Sequence, residues 1–190
     1  MMYQRGVFAL TEIPEINSHV IELPYGKEDR LSMIILLPAK RVQLVDVLDK
    51  LPAYGIQRIT AALRKAEEEF EDDEVELYLP RFTINADFTL NVLLDKMGLK
   101  DIFDPNLANL SGISKQSIYL SRVIHKSVIQ VNEIGTSAAS ASGAFFINKT
   151  TPPRFYANRP FAFLIIERTT NAMLFCGQVR HPGLVPFSEL

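Results

Sequence analysis

The stretch VNEIGTSAASASGAFFINKTTPPRFYANRPF, Val131 to Phe161, decides how this chain is read. From Thr136 to Ala144 it is an unbroken run of threonine, serine, alanine and glycine, followed by Phe145, Phe146 and Ile147, a single Lys149 and the pair Pro152 and Pro153. Side chains this small bury too little area to anchor a core, yet the run is too apolar for a simple flexible linker. Its composition fits a segment that is exposed in one state and must enter a tight slot in another.

The rest of the chain frames that segment. With 190 residues, 47% of them hydrophobic, the chain can bury a core as one domain or as part of one, and its composition carries no sign of disorder. A net charge of -2 without a basic stripe argues against nucleic-acid and membrane-surface partners. The single cysteine, Cys176 in MLFCGQV, excludes an internal disulfide and reads as a small buried hydrophobe. MMYQRGVFALTEIPE lacks the apolar core of a signal peptide, and no run approaches a membrane span; a secreted form is expected to carry its signal outside this chain.

Periodicity predicts mixed α and β structure. His19 to Tyr25 and Leu31 to Leu37, separated by Gly-Lys-Glu-Asp, read as a hairpin. Leu44, Val45, Leu48 and Leu51 recur at helical spacing, as do Ile56, Ile59 and Leu63 beyond a break at Pro52 to Gly55. The acidic EEEFEDDEVE lacks the pattern of a calcium loop and reads as a solvated turn. VELYLPRFTINA alternates as a strand interrupted at Pro80. In DFTLNVLLDKMG, Leu90, Leu93, Leu94 and Met97 share a helical face, with Asp87 as N-cap and Gly98 as stop. Ile118 to Val131 and Phe161 to Val179 are strand-rich and apolar enough for sheet interiors, and the whole predicts antiparallel sheets.

Familiar catalytic chemistry is hard to assemble from these residues. His19, His125 and His181 lack metal-ligand spacing, so neither a metal nor another cofactor is expected. No nucleophile elbow or Gly-rich phosphate loop is present, and no enzymatic activity is expected. His125, in SRVIHKSVIQV, alternates with Val123, Ser127, Ile129 and Val131 and reads as a satisfied core histidine.

VIHKSVIQVNEIGTSAASASGAFF followed by PPRFYANRPFAFLIIERTTNAMLFCGQVRHP resembles, in order and spacing, the C-terminal region of a serpin. The hinge pattern lies at Glu133, Ile134, Gly135 and Thr136. The end signature falls at Phe155, Ala157, Asn158, Arg159, Pro160 and Phe161, with Ala162 where a larger apolar residue is common. MMYQRGVF, LSMIILLP, VELYLPRFTI, LLDKMGL, FDPNLANLSGIS and LSRVIHKSV resemble successive upstream serpin blocks, so the similarity covers essentially the whole chain.

The resemblance implies an α+β, multi-sheet fold of which residues 1–190 form the C-terminal half: the B-sheet, parts of the A- and C-sheets, helices of the G, H and I type and a reactive loop at about 135–154. The N-terminal half is not in this chain. The implied activity is inhibition of a serine protease by a suicide substrate: the loop is cut, then inserts as a strand into the large sheet. Thr136, Ser140, Ser142 and Ala144 share one parity of the inserting strand, Ser137, Ala139, Ala141 and Gly143 the other, and Ala138 falls within the same hinge. Gly135 supplies the backbone freedom of the turn. No proline, charge or large residue interrupts Thr136 to Ala144, which matches inhibitory members of the family.

Counting the family's loop length from Gly135 puts the reactive bond at Lys149–Thr150 and implies a trypsin-like protease as partner, since a lysine suits a carboxylate-bearing pocket. His125 and Glu133 match positions near the top of the large sheet and are implied to gate insertion. Asn109 in NLS and Asn148 in NKT are glycosylation sequons, and the resemblance implies an extracellular, secreted glycoprotein. Two alternatives stay open: a non-inhibitory binding scaffold cleaved as an ordinary substrate, and a truncated product that self-associates or pairs with a separate N-terminal serpin fragment.

Overall fold

The fold was analysed in a computed structural model, which describes residues 1–26, 29–70, 73–132 and 152–182. In chain order these form β1 (Met2–Val7), β2 (Leu10–Ile13), β3 (Ser18–Tyr25), β4 (Leu31–Pro38), α1 (Leu44–Tyr54) and α2 (Ile56–Glu69). Then come β5 (Glu74–Leu79), β6 (Phe82–Thr89), α3 (Asn91–Lys96), β7 (Ile124–Val131), β8 (Arg154–Tyr156), β9 (Phe161–Glu167) and β10 (Ala172–Val179). The chain divides into two compact units, Met1–Phe82 with Val131–Leu190, and Thr83–Gln130.

The first unit is organised by a five-stranded sheet of order β10-β9-β4-β3-β2, in which every neighbouring pair is antiparallel. The expected hairpin is β3 and β4, in register from Ser18 opposite Pro38 to Tyr25 opposite Leu31. Gly26, at φ 90°, takes the left-handed backbone that the turn requires. Met33 to Pro38 of β4 and Phe161 to Ile166 of β9 read as uninterrupted apolar runs because both of their faces are buried. On one face Ile34, Leu36, Ala162, Leu164 and Ile166 form a single cluster with Leu44 of α1 and Ile59 and Leu63 of α2. On the other, the Phe82 ring lies 5.9 Å from that of Phe161 and 5.7 Å from that of Phe163. Each such side chain contributes about 1.5–3 kcal/mol through the area it removes from water.

One charged side chain is buried beside this core. The Glu22 carboxylate accepts from Arg168 at 3.0 Å, and the same guanidinium reaches Glu67 of α2 at 3.1 Å. A carboxylate buried without such a partner would carry a large desolvation cost. The pair therefore fixes β3, α2 and the end of β9 against each other.

Some elements depart from expectation. α1 runs through Pro52 to Tyr54 and stops at Gly55, at φ 86°, because a proline in the last turn costs only one intrahelical hydrogen bond. Leu44, Leu48 and Leu51 of the expected face pack on the core, joined by the buried Val47, while Val45 is exposed. β10 is an edge strand with Met173, Leu174, Phe175 and Cys176 exposed, which corrects the reading of Cys176 as a buried hydrophobe. Gly177 faces Phe163 in the β9–β10 register, and a Cβ there would lie 2.7 Å from a ring carbon.

A three-stranded sheet, also in the first unit, has the order β1-β5-β8, with β1 antiparallel and β8 parallel to β5. Alternation sends Met2, Val75, Leu77, Leu79 and Phe155 inward, where each is buried. Pro80 ends β5 as expected, and β5 and β6 then belong to different sheets.

The second unit, Thr83–Gln130, contains no buried residue. Val92, Leu93, Met97, Leu107 and Ile113 are all more than half exposed. Polar pairing holds it: the Asn91 side chain donates to the Ser121 carbonyl at 3.0 Å and accepts from Val123 N–H at 3.0 Å. The Leu90 N–H bonds the Val123 carbonyl at 2.9 Å. Three expectations are corrected here. Asp87 is no N-cap; it lies in β6 and pairs with Lys126 at 2.9 Å, leaving Leu90 as the residue before the helix. Residues 118–123 are not strand, since β7 begins at Ile124. His125 is exposed, because neither face of the β6–β7 pair is covered by a core. Gly98, at φ 94°, does end the helical segment, its N–H bonded to the Asp95 carbonyl at 3.0 Å.

Candidate functional site

The segment singled out by composition is approached by β7 on one side and leaves into β8 on the other. Glu133, Gly135, Thr136, Ser137, Ala138, Ala139, Ser140, Ala141, Ser142, Asn148, Lys149 and Thr150 lie outside the described residues. The geometry that can be assigned is therefore that of the two flanks.

On the upstream flank, β7 pairs with β6, and among the described residues its other edge has no neighbouring strand. A strand edge is a row of alternating N–H and C=O groups that another extended segment can pair with. Val128 and Ile124 are exposed on it. His125 also belongs to this strand, exposed and two residues from Ser127.

The downstream flank is anchored. The Pro153 carbonyl accepts from Glu76 N–H at 2.9 Å, and Ala157 N–H donates to the Tyr78 carbonyl at 2.9 Å. Phe155 is 2% exposed, so β8 plugs into the interior through that ring. Arg154 donates from Nε to Glu76 Oε2 at 2.6 Å, and that carboxylate raises the guanidinium pKa. Arg159 donates from Nε to the Pro38 carbonyl at 2.7 Å, tying the segment before β9 to the end of β4; partial burial lowers its pKa. The family signature thus combines a buried ring, a buried Ala157 and an arginine clamp.

Sequence reasoning missed the row Tyr3, Tyr78 and Tyr156 on the outer face of the three-stranded sheet, with ring centroids 5.0 and 5.2 Å apart. The outward parity of each tyrosine could have been read from its own strand; the register between strands could not. Asn109 is exposed, and its carboxamide oxygen accepts from the Ser111 hydroxyl at 2.8 Å, a local turn within the NLS triplet.

A family profile described as Serpin (serine protease inhibitor) matches residues 1–182. The chain is 41% identical to Serpin B11 of Homo sapiens over 96% of its own length and 46% of that protein. It is 36% identical to Serpin B12 of Mus musculus over 96% of its length and 43% of that protein. The crystal structure of Manduca sexta Serine protease inhibitor (Serpin)-12 superposes with a TM-score of 0.72 at 25% identity, covering 96% of this chain and 46% of that one. The chain thus spans about half the length of the relatives it matches. These relatives are of the B group, intracellular serpins, which overturns the expectation of an extracellular, secreted location.

Proposed function

This chain belongs to the serpin family, and on that premise we propose that it is the loop-bearing half of a serine protease inhibitor that acts as a suicide substrate. A trypsin-like protease attacks the bond between Lys149 and Thr150, its primary pocket matching the lysine ammonium. The small-residue run from Thr136 to Ala144 then inserts as a further strand of the sheet to which β7 belongs. Compact side chains permit this because each must pass from solvent into a packed layer. Each ladder hydrogen bond gained contributes about 0.5–1.5 kcal/mol net. In this account the uncut form is a kinetic trap.

The observation that supports the reading best is the direct continuity of the hinge composition with β7, whose second edge has no strand beside it among the described residues. Incubation with trypsin tests it. The expected outcome is a cut between Lys149 and Thr150, located by mass spectrometry, with part of the chain in a covalent complex that survives SDS. A primary cut at another bond sinks the assignment.

A second reading, cleavage as an ordinary substrate without trapping, is favoured by the lack of any buried residue in Thr83–Gln130. A sheet without a core does not form a slot. Clean loop cleavage with no stable complex is its signature, and pairing with a separate N-terminal serpin fragment, or self-association, would then supply the missing layer.

A further inference from the structure

The β10 edge of the five-stranded sheet differs from every other strand edge among the described residues. β2 has four residues and carries Glu12, β8 has three and carries Arg154, and β1, β6 and β7 carry Arg5, Asp87 and Lys126. Short length and charge are what keep a sheet edge from pairing with another chain. β10 has eight residues, Ala172–Val179, with no charge and no proline, and among the described residues it pairs only with β9. Its one irregularity is at Leu174, where the register with β9 shifts; from Phe175 to Val179 it is regular, opposite Ile165 to Phe161. Phe175, Gly177 and Val179 continue the face of Phe161 and Phe163, and Phe175 is 42% exposed there. Cys176 and Gln178, on the other face opposite Leu164 and Ala162, are exposed as well.

We propose that this edge is where a second copy of the chain docks, β10 of one copy pairing antiparallel with β10 of the other about a two-fold axis at Gly177. The occupant follows from self-complementarity. In a two-fold interface the same patch meets itself, so a charge within the strand would oppose a like charge or be covered unpaired. β10 holds none, and Arg180, just beyond it, stands opposite Leu174 of the other copy. Phe175 stands opposite Val179, Cys176 opposite Gln178 and Gly177 opposite its own copy. Each Phe175 is thereby the diagonal neighbour of the other copy's Gly177, where no side chain obstructs the ring. Five paired residues bury less than the roughly 1,200–2,000 Å² of a stable interface, so the association is weak, with an expected Kd of about 10–100 µM. Neither the loop nor β7 takes part, and the pairing stands independently of the function proposed above.

Sedimentation velocity of the full chain tests the inference. Monomer is expected at about 1 µM and a majority of dimer at about 500 µM. Gln178→Lys, which places a charge on the exposed strand without touching the core, is expected to weaken dimerisation at least about tenfold. Val128→Lys, a charge added on the exposed β7, is expected to leave it unchanged. Cys176, the single cysteine, gives an independent readout. As diagonal neighbours the two Cys176 residues lie about 7–8 Å apart, and a bismaleimide of about that span is expected to join them into a dimer that survives denaturation. If Gln178→Lys does not melt as the parent does, the bismaleimide result on the parent chain decides. A chain that stays monomeric up to about 500 µM, dimers that survive Gln178→Lys but not Val128→Lys, or dimers that the bismaleimide does not join overturn the inference.

Discussion

Two regions of the chain of similar sequence character end in opposite states. β4 and β9 are buried on both faces between α1, α2 and the Phe82 side of the sheet. β6 and β7 pair only with each other among the described residues, and nothing from Thr83 to Gln130 is buried. Both regions hold apolar residues at regular spacing. The difference lies in the number of elements within the chain that return to cover them. Hydrogen bonds and the exposed Asp87–Lys126 pair hold the second region, and the net contribution of such bonds is small when water competes at every site.

Paired core truncations offer the sharpest way to break this contrast. Ile34→Ala in β4 is expected to cost about 2–5 kcal/mol in urea unfolding, through lost burial and the cavity left behind. Leu93→Ala in α3, where the side chain is exposed, is expected to stay within about 0.5 kcal/mol. Equal losses would show that the second region has a core after all.

Glycine substitutions probe the same contrast by addition. At Gly177 a Cβ meets the Phe163 ring, and Gly177→Ala is expected to cost about 1–3 kcal/mol. At Gly112 a Cβ meets nothing within 4 Å, so Gly112→Ala is expected to leave the melting midpoint unchanged. A destabilisation at Gly112 matching that at Gly177 would remove the distinction.

The smallest effect concerns acid. Glu167, at the end of β9, has its pKa lowered to about 2, chiefly because its carboxylate accepts from the Thr170 hydroxyl at 2.6 Å and N–H at 2.7 Å. Its reference value is 4.5. A carboxyl depressed on folding stabilises the fold above its unfolded pKa and loses that contribution as pH falls through its folded one. A slight loss of stability is therefore expected between pH 4.5 and about 2, and Glu167→Gln should flatten that limb of a melting-against-pH curve. An unchanged slope in the variant would assign the acid sensitivity to another carboxylate.

Much of the first region was legible because its signals are local. The turn at Gly26 and the apolar run of β9 each specify an element without help from distant residues. Periodicity marks which residues share a face but not whether anything covers that face. That is why His125 and Cys176 read as interior and are exposed, and why Asp87 read as a cap and is a strand residue. The loop reading rests on composition alone and falls outside the described residues. The tyrosine row of the three-stranded sheet was not legible, because the pairing of Tyr3 with Tyr78 joins segments 75 positions apart. Family likeness reached the serpin family but not the branch, and the secreted location inferred from it gave way to the B-group relatives.

β9 lies between β4 and β10, hydrogen-bonded to each along most of its length. A backbone nick anywhere from Asn132 to Pro152 therefore leaves two polypeptides held in a single particle, the shorter piece supplying β9 and β10 beside β4 and β8 beside β5. Such damage is silent in gel filtration and visible only after denaturation, because the severed piece parts from the body only when the β4–β9 and β5–β8 pairings both break.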